Sequence, residues 1–100
     1  MPLFDRRREW PETLSMRISD VFFIQLQGRG TVVTGHLDGE GLLRVGDVLV
    51  HSGRTHRIRA METFHKMLRE AHAGTNLGLI LGPEVPPHGF EGHTVSFRRG

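Results

Sequence analysis

The chain of 100 residues contains no cysteine, which excludes disulfide bonds and thiolate metal ligands and leaves the redox compartment open. It also has no apolar run near the roughly 18 residues that a membrane-spanning helix needs. Its opening stretch, MPLFDRRREW, lacks the apolar core of a secretory signal. We therefore expect a cytoplasmic protein with no membrane partner. With 37% hydrophobic and 24% charged residues, the composition is typical of one soluble domain with one core.

Lysine is nearly absent as well. Twelve arginines accompany the single Lys66, and the formal net charge is +2. Arginine binds phosphate with two parallel hydrogen bonds and stacks on bases, so the composition allows a nucleic-acid partner. Arginine-rich codon usage explains the same composition, and a net charge of this size produces only a weak field. Charge alone therefore identifies no partner.

The sequence also lacks a complete phosphate-binding loop. The stretch GRGTVVTG has the Walker spacing between Gly30 and Gly35. However, His36 and Leu37 stand where the motif needs a lysine and a hydroxyl residue. The dinucleotide pattern G-x-G-x-x-G fails too, because Val33 occupies the place of its third glycine. We interpret these glycines as a turn that opens a β-strand, and we expect no GTPase activity from this chain alone.

Other catalytic and metal-binding patterns are missing. The histidines form neither H-E-x-x-H nor a cysteine-histidine pattern. No serine lies in a G-x-S-x-G elbow, and the carboxylates Asp38 and Glu40 fall in a glycine-rich turn, where solvated side chains are expected. We predict no enzyme, no metal site and no cofactor. The seven histidines are His36, His51, His56, His65, His72, His88 and His93.

From Ile18 onward, short β-type runs alternate with glycine-rich turns. The runs are VFFIQLQ, TVVTGHL, DVLVHS, THRIRAM, TNLGLIL and HTVSF. In several of them apolar residues alternate, as in Leu77, Leu79 and Leu81. Many short strands separated by turn signals are typical of an all-β barrel or sandwich.

Two segments do not fit this pattern. Residues 1–15 contain the charged run DRRRE without alternation, and we interpret them as an N-terminal tail or a short capping helix. The segment METFHKMLREAHAG places Phe64, Met67 and Leu68 at helical spacing and ends at Gly74. Taken alone, that spacing predicts an amphipathic helix or a short helical turn.

Three blocks in order, GRGTVVTG, LRVGDVL and METFHKMLREAHAGTNLGLIL, resemble the second domain of elongation factor Tu and of related translational GTPases. The resemblance covers roughly residues 16–100. It implies a closed antiparallel β-barrel, occurring here as a stand-alone domain after an N-terminal segment of residues 1–15. It also implies that RAMETF is a strand and that HKMLREAHAG is a structured loop with at most a helical turn.

In elongation factor Tu this barrel holds the aminoacylated 3′ end of tRNA, with the terminal adenosine in a pocket. The resemblance implies that Glu62 lies beside the adenosine and Asn76 near the aminoacyl group. His65 stands where the family has an arginine that positions the tRNA end. Apolar walls and a carboxylate suit a single-stranded RNA end. The implied RNA-end residues are Leu26, Gly28, Arg29, Val32, Glu62, His65, Asn76 and Ile80.

Each implied residue also has a structural interpretation. Leu26, Val32 and Ile80 suit barrel packing, Glu62 suits a solvated strand position, and Asn76 suits a turn. We therefore keep two hypotheses. The first is an RNA-binding module without its own GTPase domain, whose partner is tRNA or ribosomal RNA. The second is a scaffold with a vestigial tRNA pocket, whose partner is a separate GTPase or another protein chain.

Overall fold

The computed structural model of the protein describes residues 9–100, a range that leaves out most of the predicted N-terminal segment. Within this range the chain is almost entirely β-structure, with a short 3-10 turn at Leu26–Gly28 and no α-helix. The predicted all-β class is confirmed. The strands are β1 Leu14–Ile24, β2 Gly30–Gly39, β3 Leu42–Arg44, β4 Val48–His51, β5 Arg54–Arg57, β6 Ala60–Thr63, β7 Lys66–Leu68, β8 Glu70–His72, β9 Asn76–Gly82 and β10 Thr94–Arg98.

Eight of the strands form one curled antiparallel sheet in the order β5-β4-β10-β1-β2-β9-β6-β7. The sheet wraps as a half-barrel around one hydrophobic core. The remaining two strands, β3 and β8, pair as a separate ribbon and contribute Leu43 and Ala71 to the same core. The predicted antiparallel β-barrel architecture is therefore confirmed, in the form of a half-barrel. Across residues 9–100, no helix has the length and apolar content needed to cross a membrane.

The core side chains come from alternate positions of the curled sheet. Met16, Leu37, Met61 and Leu79 are fully buried, and they lie on four strands that are neighbours in the sheet, β1, β2, β6 and β9. The predicted alternation in β9 holds, since Leu77, Leu79 and Leu81 all belong to the core cluster. Alternate burial of this kind is what a sheet with one face on a core requires.

The first strand begins earlier than the sequence pattern indicates. β1 starts at Leu14, ahead of the predicted change in texture at Ile18, and Leu14, Met16 and Ile18 are all buried. A β-bulge between Ile18 and Asp20 then shifts the register against β2. Because a bulge inserts one residue, it moves the following side chains to the opposite faces. The division of the chain at residue 16 remains a prediction.

The glycine stretch GRGTVVTG is the turn that opens β2, which confirms the interpretation from sequence. Gln27, Gly28 and Gly30 have φ angles of 59°, 66° and 67°, a region that suits glycine. An added Cβ at Gly30 would collide with the backbone of Gly82 and Pro83, so this position needs glycine for space as well. The following Thr31 is buried, and its hydroxyl donates to the carbonyl of Val85.

The segment METFHKMLREAHAG contains no helix, so the helical prediction is wrong. β6, Ala60–Thr63, confirms the implied strand in RAMETF, whereas the implied loop HKMLREAHAG instead forms β7 and β8. Phe64 and His65 have φ angles of 45° and 66° and close a two-residue hairpin. Phe64 is 83% exposed, so the apolar residues of this segment do not share one buried face. Strand pairing of β6 with β9 overrides the helical spacing.

A buried carboxylate holds the last residues of the chain. Asp47 is buried, and its Oδ2 accepts a hydrogen bond of 2.8 Å from the amide of Arg44. The same oxygen lies 3.2 Å from Nη1 of Arg99. The guanidinium of Arg99 also lies 5.5 Å from the ring centre of Trp10, a cation–π distance. These contacts fix the segment before β1 and the segment after β10 against the barrel.

Candidate functional site

An open groove of about 600 Å³ lies on the outer face of the curled sheet. Its walls come from β1, β2, β6, β9 and the turn between β6 and β7. The cross-strand register builds it in rows, since Thr34 of β2 pairs with Gly78 of β9, and Gly78 pairs with Glu62 of β6. The groove is lined by Arg17, Ser19, Thr34, Gly35, His36, Glu62, Thr63, Phe64, His65, Asn76, Leu77 and Gly78.

Glycine at the centre of the middle row keeps the floor of the groove open. An added Cβ at Gly78 would lie 3.3 Å from Cγ of Glu62 and 3.6 Å from a methyl group of Val32. The first distance is tighter than normal van der Waals contact, so any side chain at Gly78 would occupy the space beside the carboxylate. The missing side chain therefore creates room for a flat group next to Glu62.

The carboxylate of Glu62 already has a cationic partner. Nη1 of Arg29 donates a hydrogen bond of 3.0 Å to Oε2 of Glu62, and the two side chains are 30% and 27% exposed. The ion pair connects the turn before β2 with β6. Because the pair is half-buried, it fixes the direction of the carboxylate. Hydrogen-bond capacity remains on the carboxylate, since each oxygen can accept more than one bond.

The amide of Asn76 is oriented by a histidine. Nδ1 of His36 lies 2.8 Å from Oδ1 of Asn76, and Nε2 of the same ring lies 3.7 Å from Oδ1 of Asp38. The amide oxygen can only accept, so His36 donates from Nδ1. The amide nitrogen of Asn76, with its two N–H groups, then remains to donate to a bound molecule. The groove thus presents the carboxylate of Glu62 on the strand next to Gly78, and the amide of Asn76 two residues before Gly78 on β9.

An exposed aromatic ring stands at the rim of this groove. Phe64 occupies the tight turn between β6 and β7 and is 83% exposed. Met67, which pairs with Glu62 across β6 and β7, is 57% exposed. An aromatic face beside directed polar groups is the arrangement that stacks and reads an unpaired base. Arg17 adds a cationic side chain on the opposite wall.

The eight residues implied by the resemblance fall into three places. Glu62, His65 and Asn76 line the groove. Arg29 reaches it only through its ion pair with Glu62. The others lie outside the lining. Val32 and Ile80 form a cross-strand pair and are buried, whereas Leu26 is 75% exposed and Gly28 has an open surrounding at the tip of the β1–β2 hairpin.

The sequence pattern did not indicate most of the groove residues, among them Arg17, Phe64, and His36 in this role. His36 was considered only as a metal ligand, although alternation along TVVTGHL places it on the same face as Thr34. Arg17 lies before the predicted start of regular strands, and Phe64 was assigned to a helical face. Among residues 9–100, no group of three or more histidine or carboxylate side chains is placed to hold a metal ion.

The fold is similar to the β-barrel domains of translation elongation factors. No family model matches the chain. Among solved structures, a bacterial selenocysteine-specific elongation factor, EF-Sec, superposes with a TM-score of 0.72 at 27% identity. The match covers 94% of this chain and 16% of that protein.

A second similar structure is translation elongation factor SelB from Methanococcus maripaludis in its apo form. It superposes with a TM-score of 0.69 at 22% identity and covers 96% of this chain. The present chain spans only 20% of that protein's length. The predicted resemblance to a translation-factor barrel is therefore confirmed, and it concerns one domain of much longer proteins.

Proposed function

We propose that the protein is a translation-factor-like RNA-binding module whose groove binds a single-stranded RNA end. The aminoacylated 3′ end of tRNA is the first candidate ligand, and an unpaired segment of ribosomal RNA is the second. One observation carries the proposal: Glu62 and Asn76 line the same groove, next to the open floor at Gly78. The similarity of the fold to elongation factors supports it.

The chemistry of the groove suits a nucleoside. The carboxylate of Glu62 accepts from a ribose hydroxyl or a base amino group, while the amide of Asn76 donates to a carbonyl oxygen. The ring of Phe64 provides a stacking surface. A 2′-hydroxyl is both donor and acceptor, which allows such a pair of groups to distinguish RNA from DNA. Arg17 offers a charge-assisted contact for a neighbouring phosphate.

The test is a titration of labelled aminoacyl-tRNA and of deacylated tRNA, followed by fluorescence anisotropy at two salt concentrations. We expect micromolar binding that prefers the aminoacylated end and survives moderate salt, because binding driven by phosphates alone falls steeply with salt. A matched pair of variants sharpens it. Asn76→Ala removes a groove amide, and Ser96→Ala removes an exposed hydroxyl on β10, outside the groove. Equal binding by both variants contradicts the proposal.

A protein-interaction scaffold is the second candidate function. Phe22, Phe23 and Leu26 are 50%, 46% and 75% exposed near the tip of the β1–β2 hairpin. Adjacent residues of a strand point to opposite faces, so the tip is apolar on both sides. A separate GTPase or another protein chain that binds over this tip would bury these apolar side chains. Pull-down with Leu26→Ser as the matched variant tests this candidate independently of RNA.

A further inference from the structure

A second cavity, of about 320 Å³, lies at the edge of the sheet formed by the β4–β5 hairpin. It is separate from the groove and shares no residue with it. We call the side chains of His51, Arg54, His56 and His88, together with the neighbouring His93, the histidine rim. The cavity is lined by His51, Ser52, Arg54, His56, Pro86, His88 and Phe90.

The imidazoles of the rim are held in place by packing. The ring centres of His51 and His56 lie 4.7 Å and 5.8 Å from that of Phe90, which is itself part of the core. Nε2 of His51 and Nδ1 of His93 are 2.8 Å apart and share one hydrogen bond. His56 pairs with the buried Leu49 across β4 and β5. His51, His56 and His93 are therefore held in place by these contacts.

The electrostatics of the rim favour an anion. No carboxylate lines this cavity. The adjoining cavity of about 460 Å³ shares Arg54 and His56 with it and adds Arg57, Arg59 and Glu84. Glu84 is already paired with Arg59. The cationic groups of β5 are thus not neutralised by acidic partners within these two cavities.

Burial and neighbouring positive charges oppose the protonation of His51 and His56. Burial lowers the pKa of His51, and the neighbouring His93 lowers it further. Burial, His51 and Arg54 lower the pKa of His56. The groups facing these imidazoles are therefore other histidines and arginine, with Glu84 held by Arg59 at the border of the adjoining cavity. A bound anion would remove the mutual repulsion, so that the histidines take up protons as it binds.

We propose that the histidine rim is a phosphate-binding site for the backbone of RNA, separate from the groove, at which phosphate and protons bind together. Arg54 supplies the permanent positive charge of the site, and His51 and His56 add donors as they become protonated, while His88 lines the same cavity. Arg57 continues the cationic surface along β5, which suits a chain of phosphates better than one isolated anion. The site does not depend on the function proposed for the groove.

The experiment follows the imidazole Cε1–H signals of the whole chain by NMR in a buffer without phosphate. Two probes are titrated at pH 7.0 and pH 6.0, inorganic phosphate and a short uridine oligonucleotide. If one proton is taken up with each bound ligand, the affinity rises by at most about tenfold for each unit by which the pH falls. We expect both probes to shift His51 and His56, with RNA binding tighter than phosphate. The affinity for RNA should be about threefold to tenfold higher at pH 6.0 than at pH 7.0, because its phosphodiesters do not titrate in this range. An affinity for RNA that is independent of pH overturns the proposal.

Variants separate the rim from the groove. Arg54→Gln, at an exposed strand position, should weaken oligonucleotide binding about fivefold or more, as loss of one phosphate contact would. His51→Gln should remove most of the pH dependence. His72→Gln, an exposed histidine on the β3–β8 ribbon, should change neither.

Asn76→Ala should leave phosphate binding at the rim intact, even if the groove binds nothing. Binding of inorganic phosphate without the oligonucleotide overturns the assignment to RNA.

Discussion

The groove and the histidine rim lie on the same curled sheet, yet their polar side chains are organised in opposite ways. In the groove each directed group has a partner of complementary character, Glu62 with Arg29 and Asn76 with His36. In the rim, imidazoles face one another and Arg54, and no carboxylate lines the cavity. The first surface is oriented before any ligand arrives. The second gains its full charge only when a ligand supplies the negative partner.

This difference separates two kinds of recognition. A paired carboxylate and amide can read the hydroxyls and amides of a nucleoside with little dependence on salt. A cluster of cationic groups reads phosphate, and its strength depends on salt and on pH. One small sheet can carry both because its two surfaces occupy different edges of the same core.

The largest expected effect comes from that shared core. Leu49 on β4 and Met61 on β6 are both fully buried, the first near the rim and the second beneath the groove. Truncation of either to alanine should lower the free energy of unfolding by about 2–5 kcal/mol. Urea unfolding followed by circular dichroism measures both, with the half-exposed Val45→Ala as control. If Leu49→Ala loses only the NMR signals of the rim histidines while the rest of the sheet stays folded, the protein has two cores instead of one.

The next effect concerns the groove. Glu62→Gln and Asn76→Ala should each weaken binding of a single-stranded RNA end by about 1–3 kcal/mol, because each removes one directed contact with the nucleoside. The midpoint of thermal unfolding should change little. Anisotropy and melting curves on the same samples provide the test. An equal loss of stability and binding would assign both residues to structure.

A smaller effect is expected from the ion pair that connects the turn before β2 with β6. Arg29→Gln breaks the contact of 3.0 Å with Glu62, but both side chains are partly exposed. We therefore expect a loss of at most about 1 kcal/mol of stability, which high salt reduces further. Urea unfolding in low and high salt measures it. A larger loss that does not respond to salt would indicate that Arg29 acts through packing.

The smallest expected effect is the pH dependence of folding stability that the histidine rim causes when no ligand is bound. The pKa values of His51 and His56 are lowered in the folded state, so the unfolded chain takes up protons first as the pH falls below about 6.5. Stability should be complete above that pH and decline below it, towards the folded-state pKa values. His51→Gln should flatten the decline and His72→Gln should not. Melting temperatures between pH 7.5 and 5 report the difference.

Much of the fold follows from the sequence because alternation and glycine-marked turns are local signals. The turn before β2 was predictable from GRGTVVTG, since its positive φ angles require residues such as glycine. β1 was harder to define. The bulge after Ile18 shifts the alternation by one residue, so neither half of the strand predicts the other. The helical spacing of Phe64 and Met67 gave a wrong prediction for another reason. Both residues are exposed at the edge of the sheet, so their spacing does not mark a buried face.

The candidate site was only partly predictable. The resemblance pointed to Glu62, His65 and Asn76, and the structure shows all three lining one groove. It did not indicate Arg17 or His36, because their proximity depends on the pairing of β1 with β2. The histidine rim could not be predicted from the sequence. Its histidines come from β4, β5 and the loop before β10, and no spacing within the sequence brings them together.

The two outermost strands of the sheet bear on how the protein behaves at high concentration. β5 has four residues and carries Arg54 and Arg57, while β7 has only three residues and begins with Lys66. Short, charged outer strands offer an approaching chain few backbone groups to pair with and repel a second copy of themselves. The arginines of β5 thus have a protective effect whether or not RNA binds there, since they limit the growth of the sheet into an aggregate.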